Sequence, residues 1–266
     1  MMNMTLWKRE IKANWKIFFL FLMMITLYGT VVVMMYDPEL GKSLEMMAES
    51  MPEMFAAFGM SNTSSSLIEF VTNYLYGFIL TVIPIIFIIL MAHRLVSRYI
   101  DRGSMAYLLA TPNNRGNIIR TQAVVMAMGI LALVIYAMLL VVITGNLMFD
   151  EGIDLGRYFV LNVGLYGLLL FMGGLCFLSA CIFNEVKYAI GIGAGCSIFF
   201  ILTQMLSQVG DKMANLKYLT PLTLFQAENL IHLESSAYIG VGILYIVGIL
   251  MFVIGIEIFK KRDLPL

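Results

Sequence analysis

The sequence predicts an all-α membrane protein with six transmembrane helices and with both termini in the cytoplasm. Hydrophobic residues make up 61% of its 266 residues, and a soluble domain cannot bury so many. They are concentrated in six stretches that are almost free of charge, and a hydrocarbon core of about 30 Å needs roughly 20 helical residues to cross it. The stretches are 17–36, 70–92, 123–145, 159–183, 188–206 and 237–259.

The basic residues predict the orientation. With a cytoplasmic N-terminus, 13 of the 17 Lys and Arg residues fall on the inner side and four on the outer side. Short cytoplasmic loops carry such an excess, so we expect a multi-pass protein of the cell membrane. The inner residues are Lys8, Arg9, Lys12, Lys16, Arg94, Arg98, Arg102, Arg115, Arg120, Lys187, Lys260, Lys261 and Arg262; the outer ones are Lys42, Arg157, Lys212 and Lys217.

Residues 1–16 predict an interfacial N-terminal helix. Trp7, Ile11 and Trp15 recur every four residues, which places them on one helical face at headgroup level. Lysines recur on the neighbouring stripe and would face anionic lipid or solvent. The pattern also allows a helix that touches a cytoplasmic partner. The three lysines are Lys8, Lys12 and Lys16.

Two outer segments have helical or apolar character. The outer loop 37–69 contains a Met-rich stretch that Pro52 interrupts, and it predicts a cap on the span ends or a gate. The outer segment 207–236 contains an apolar piece, 218–225, that is too short to cross the membrane. It predicts a re-entrant or interfacial element.

The predicted spans lack the groups that drive ion-coupled transport. Transporters coupled to protons or ions usually place ionisable side chains at mid-depth, but these spans carry hydroxyls and amides, with Glu257 near an inner end. The sequence offers no selectivity filter and no Arg-rich voltage-sensing helix. The three cysteines fall within spans, where thiols usually pack, and the two histidines fall on opposite sides. We therefore expect the energy for any transport to come from outside the membrane region, and we expect no metal site.

The cytoplasmic connection 93–122 has the most specific sequence in the chain. Gly103 and Pro112 bracket a short helical piece, with Ser104 as its candidate N-cap and Leu108 and Leu109 on one face. A short helix with an apolar face is suited to a groove on another protein. The alternative is a surface loop that lies on lipid headgroups.

This connection resembles that of the ABC-2 permeases, the membrane subunits of type-2 ABC exporters. Members commonly carry an acidic-Arg-Gly-Thr step, then Leu-Leu-x-x-Pro and then Arg between spans 2 and 3. The resemblance implies that the segment is a coupling helix that docks into a cytoplasmic ATPase. Many members have an acid where this chain has Ala106, so a charge contact there is not expected. The matching residues are Asp101, Arg102, Gly103, Ser104, Leu108, Leu109, Pro112 and Arg115.

The resemblance also implies partners. The chain has no phosphate-binding loop of the Gly-x-x-x-x-Gly-Lys-Ser/Thr type and no long soluble segment, so ATP and Mg²⁺ would bind to separate ATPase subunits. Six spans in the family form half of a pathway, so a second permease copy or a related chain is implied. The chain would then be a non-catalytic subunit that exports a hydrophobic or amphipathic peptide, drug or lipid.

Other classes fit the sequence less well. An ion-coupled secondary transporter needs coupling groups at the membrane midplane, and an intramembrane enzyme needs a nucleophile with its base or metal ligands at that depth. Neither is evident in the predicted spans. A non-transporting sensor or scaffold of similar fold remains the alternative.

Overall fold

The computed structural model describes residues 3–36, 46–60, 66–101, 114–149, 152–209 and 211–262. Every element in these ranges is helical. Within the described ranges, six helices are long and apolar enough to cross a membrane, which confirms the predicted all-α, six-span architecture. In chain order spans 1 to 6 are Met4–Met34, Leu67–Ser97, Arg115–Met148, Leu155–Ile182, Val186–Ser207 and Ser235–Lys261.

Span 1 begins well before the apolar stretch that predicts it. The Asn3 side chain caps the helix by accepting hydrogen bonds from the backbone N–H groups of Thr5 and Leu6. No Gly or Pro occurs between residues 4 and 28, so nothing interrupts the helix. The predicted N-terminal segment therefore forms the first turns of span 1, without a break at residue 16.

Span 2 alternates between α- and π-helix. It runs as α-helix Leu67–Val71, π-helix Thr72–Ile79, α-helix Leu80–Ala92 and π-helix His93–Ser97, and a short α-helix, Arg98–Asp101, follows it. Pro84 lies inside the second α-helical part and donates no backbone hydrogen bond. π-Helical turns are rare overall, but where they occur they often lie at functional sites. Span 2 contains two such segments and is therefore unusual in two places.

Span 4 lies at the centre of the bundle. Its most apolar stretch is 78% buried, against 28% in span 1 and 22% in span 5, and it contacts spans 2, 3, 5 and 6. It meets span 6 backbone to backbone. A Cβ atom added to Gly174 would lie 2.6 Å from the Gly248 carbonyl oxygen, and one added to Gly248 would lie 2.9 Å from the Phe171 nitrogen. Glycine at both positions thus permits the close approach.

Spans 2 and 4 share a buried polar cluster. The Tyr76 hydroxyl lies 2.8 Å from both the Tyr158 hydroxyl and Asn162 Oδ1, and Asn162 Nδ2 donates to the Tyr158 carbonyl. All three side chains are buried. Because each polar group finds a partner inside the bundle, the cluster holds the first π-helix against span 4.

Both predicted outer segments, where the structure describes them, pack on the span ends. The short helix Pro52–Ala57 buries Phe55, and the Gln208 amide, oriented so that both its atoms bond, donates to the Ala56 carbonyl at 3.0 Å. This contact favours the cap interpretation of the Met-rich stretch.

The second outer segment forms three short helices, Asp211–Leu219, Pro221–Leu224 and Ala227–Ile231. A Cβ atom added to Gly240 would lie 2.4 Å from the Leu224 carbonyl oxygen, and Leu230 lies against Gly164. The second and third of these helices are thus packed closely against spans 6 and 4, while the first lies on span 5. Its depth in the membrane remains a prediction.

The glycine contact predicts a difference between two substitutions in span 6. Gly248→Ala should destabilise the bundle by about 1–3 kcal/mol, because the added methyl group must displace the span 4 backbone. Gly242→Ala is the matched control, since nothing lies within 4 Å of its Cβ position. Thermal unfolding in detergent measures both, and equal loss of stability in the two variants would contradict the close approach.

Candidate functional site

The structure describes the two flanks of the predicted coupling segment. Asp101 ends the short helix after span 2, and Arg115 is the first residue of span 3. The remaining predicted coupling residues lie outside the described ranges, as does the helix predicted between Gly103 and Pro112. They are Arg102, Gly103, Ser104, Leu108, Leu109 and Pro112.

The first flank is tied to span 1 through Glu10. The Tyr99 hydroxyl donates to Glu10 Oε1 at 2.5 Å, and the Glu10 side chain has no exposed surface. Burial, together with the hydrogen bond to Glu10, raises the pKa of Tyr99 to about 12. Tyr99 therefore stays a neutral donor at physiological pH, two residues before Asp101.

A second pair of side chains, Asn14 and Arg94, joins spans 1 and 2 one helical turn further along span 1. Arg94 Nε donates to Asn14 Oδ1 at 2.7 Å, and Arg94 Nη2 donates to the Ala13 carbonyl at 3.0 Å. Asn14 Nδ2 in turn donates to the Glu10 carbonyl at 2.9 Å. We call Glu10, Asn14, Arg94 and Tyr99 the span 1–span 2 junction.

The π-helix His93–Ser97 sets the register of this junction. Glu10 and Asn14 are four residues apart and therefore share one face of an α-helix. Arg94 and Tyr99 are five residues apart, which in an α-helix would separate them by about 140° around the axis. The i→i+5 bonding of a π-helix widens the turn, so both side chains reach span 1.

The second flank is tied to the end of span 6. Arg115 Nη1 donates to the Arg262 carbonyl at 3.3 Å. The Arg262 guanidinium donates to the Cys181 carbonyl at 2.6 Å and to Asn184 Oδ1. Burial lowers the pKa of Arg262 from its ordinary value, and Cys181 opposes the shift, but a guanidinium stays charged at physiological pH.

The start of span 1 also lies at this end of the bundle. The Asn3 backbone N–H donates to Thr121 Oγ1 in span 3 at 3.0 Å, and Lys260 of span 6 packs against Gly116. The starts of spans 1 and 3 and the ends of spans 2 and 6 therefore meet around the described flanks of the connection 93–122.

The predicted membrane anchor and the buried face of span 1 are neighbouring stripes. Trp7 is partly buried against the core, while Ile11 and Trp15 are 46% and 54% exposed. The stripe that enters the protein is Leu6, Glu10 and Asn14, one residue earlier.

Sequence reasoning missed this buried stripe. Its signal was Glu10, the one acid in the first 36 residues, which lies among exposed cations. Those cations are Lys8, Arg9, Lys12 and Lys16.

In the ranges that the structure describes, no three His, Cys, Asp or Glu side chains are grouped as metal ligands.

A comparison with known protein families identifies the family of the chain. The profile of the ABC-2 family transporter proteins matches residues 4–264, nearly the whole chain, while no curated protein matches it. This match agrees with the motifs of the connection 93–122 and with the six spans. The chain belongs to the ABC-2 transporter family.

Proposed function

We propose that this chain is the permease subunit of an ATP-driven exporter, and that the connection 93–122 faces the cytoplasm and couples it to a separate ATPase. ATP and Mg²⁺ bind to that ATPase. The chain itself catalyses no reaction and forms half of the translocation pathway. ABC-2 membership supports the transport role, and the 13 inner basic residues support the orientation.

The anchoring of both flanks is the observation that carries the coupling proposal. Tyr99 before the segment bonds to span 1, and Arg115 after it bonds to the end of span 6. A segment held at both ends passes a displacement into the bundle instead of absorbing it. Its two ends lead to different helices, so one docking event acts on several spans.

The missing half of the pathway is a second copy or a related chain. Span 5 is the least buried span, and nothing lies within 4 Å of the Cβ positions of Gly191 and Gly195. Gly193, in contrast, packs against Cys176 of span 4. The Gly191-x-x-x-Gly195 pair therefore faces away from its own bundle, with the spacing that lets two helices approach closely.

The proposal for the substrate class is based on the composition of the spans. The spans are apolar, with scattered hydroxyl and amide groups, which suits hydrophobic or amphipathic molecules. We propose a peptide, a drug or a lipid as the exported substrate.

Orientation is tested by labelling single cysteines. In a variant without Cys176, Cys181 and Cys196, a membrane-impermeant maleimide should modify Ser64→Cys from outside. Asn113→Cys should react only after permeabilisation, because the basic residues keep its connection inside. Outside labelling of Asn113→Cys would overturn the orientation and the coupling role together.

Docking is tested at the two leucines of the segment. Burying one leucine contributes roughly 1.5–3 kcal/mol, whereas an exposed ion pair contributes about 0–1 kcal/mol. The double substitution Leu108→Ser and Leu109→Ser should therefore weaken ATPase binding by about 10²–10⁴-fold and abolish substrate-stimulated hydrolysis.

The control for this experiment is Leu219→Ser, which removes an exposed leucine from the predicted outer segment. It should change neither the binding of the ATPase nor substrate-stimulated hydrolysis. The double variant must also insert normally. Wild-type assembly and stimulated hydrolysis in the double variant would refute the coupling assignment.

Energy coupling is tested by reconstitution. In liposomes the chain alone should not transport, because its predicted spans hold no ion-coupling group. Transport should appear when the ATPase and the second permease half are both present, and a substitution of the phosphate-loop lysine in the ATPase should abolish it. Transport by the chain alone in a proton or sodium gradient would identify a secondary carrier instead.

A further inference from the structure

We infer that Glu10 is a positioning residue that makes span 1 move together with the coupling segment. This inference rests on the proposed function and deepens it. Glu10 is not proposed to contact the substrate or the nucleotide. It acts by joining the inner end of span 1 to Tyr99, so that a displacement of the segment reaches span 1 directly.

The surroundings of Glu10 support a specific link. Its carboxylate is completely buried, and its oxygens face Tyr99 at 2.5 Å and Asn14 Nδ2 at 3.4 Å. Arg9, Arg94 and Arg98 supply the nearby positive charge, and the Arg98 guanidinium lies 5.7 Å from the Tyr99 ring centroid. A buried charge is costly unless it is paired, so the carboxylate holds Tyr99 firmly.

Span 1 is packed mainly against span 3 and is less buried than span 2. Along its length span 1 lies on span 3, where Thr26 bonds to Tyr136 at 2.6 Å and Gly29 meets Leu140. At its inner end it bonds to span 2 through the span 1–span 2 junction. Because 28% of its apolar stretch is buried, against 61% for span 2, span 1 shifts with fewer contacts broken. Tyr99 thus joins the flank of the coupling segment to the less buried of the two helices.

The two tryptophans of the chain make this link measurable. Trp7 and Trp15 are the only ones in the sequence, and they lie on span 1 on either side of Glu10. The permease is produced with 5-fluorotryptophan and assembled with its unlabelled ATPase. Its ¹⁹F NMR spectrum is then recorded with and without ATP and orthovanadate. Both resonances should shift in the wild-type complex.

Two variants distinguish a positioning role of Glu10 from a role in stability alone. Tyr99→Phe removes the closer donor to the buried carboxylate and leaves it only the longer contact with Asn14 Nδ2, so the unfolding temperature of the protein should fall. Adding Glu10→Gln replaces the charge by an amide and should recover much of that loss. The nucleotide-dependent ¹⁹F shift should fall to less than about a third in both the single and the double variant, since neither retains the charged link.

Tyr136→Phe is the matched control. It removes a hydrogen bond between span 1 and span 3, and it should leave the nucleotide-dependent shift intact. If Glu10 only stabilises the fold, the shift will instead recover together with the unfolding temperature in the double variant, and the inference fails. It also fails if the wild-type resonances do not move in a complex that binds the ATPase. A permease that binds no ATPase at all refutes the proposed function instead.

Discussion

The close approach of spans 4 and 6 is the contact on which the rest of the bundle depends. Between helices in lipid the hydrophobic effect gives little drive, so association relies on packing. Gly174 and Gly248 let the two backbones touch, and this places span 4 at the centre. Spans 1 and 5 are left on the rim with much of their apolar surface uncovered. The pair thus joins the most buried span of the bundle to span 6, whose apolar stretch is 33% buried.

The polar interactions divide into two groups with different roles. Tyr76, Tyr158 and Asn162 form a neutral cluster within the membrane-spanning helices, and it holds spans 2 and 4 together. The charged contacts of Glu10, Arg94, Arg115 and Arg262 gather instead at the end where the connection 93–122 begins and ends. This end of the bundle is therefore held by directional hydrogen bonds of charged groups, whereas the membrane-spanning part is held mainly by apolar packing.

The six spans were predictable because length and apolar character are local properties of the sequence. The buried role of Glu10 was not, because it depends on the π-helix His93–Ser97, which turns Arg94 and Tyr99 to the same side. The periodicity of Trp7, Ile11 and Trp15 correctly indicated a helix. It identified the more exposed face, however, and the buried face of Leu6, Glu10 and Asn14 lies one residue earlier. Pairs such as Gly174 and Gly248 could not be identified either, since many glycines share the spans and only the three-dimensional contacts select between them.

We propose that the connection 93–122 docks into an ATPase, and photo-cross-linking tests this docking most directly. With p-benzoylphenylalanine in place of Leu108, irradiation of membranes that contain the whole transporter should join this chain to the ATPase subunit. The same amino acid in place of Leu219, on the predicted outer side, should give no such product. Cross-links from residue 108 to lipid alone, with the ATPase present and active, would contradict the claim.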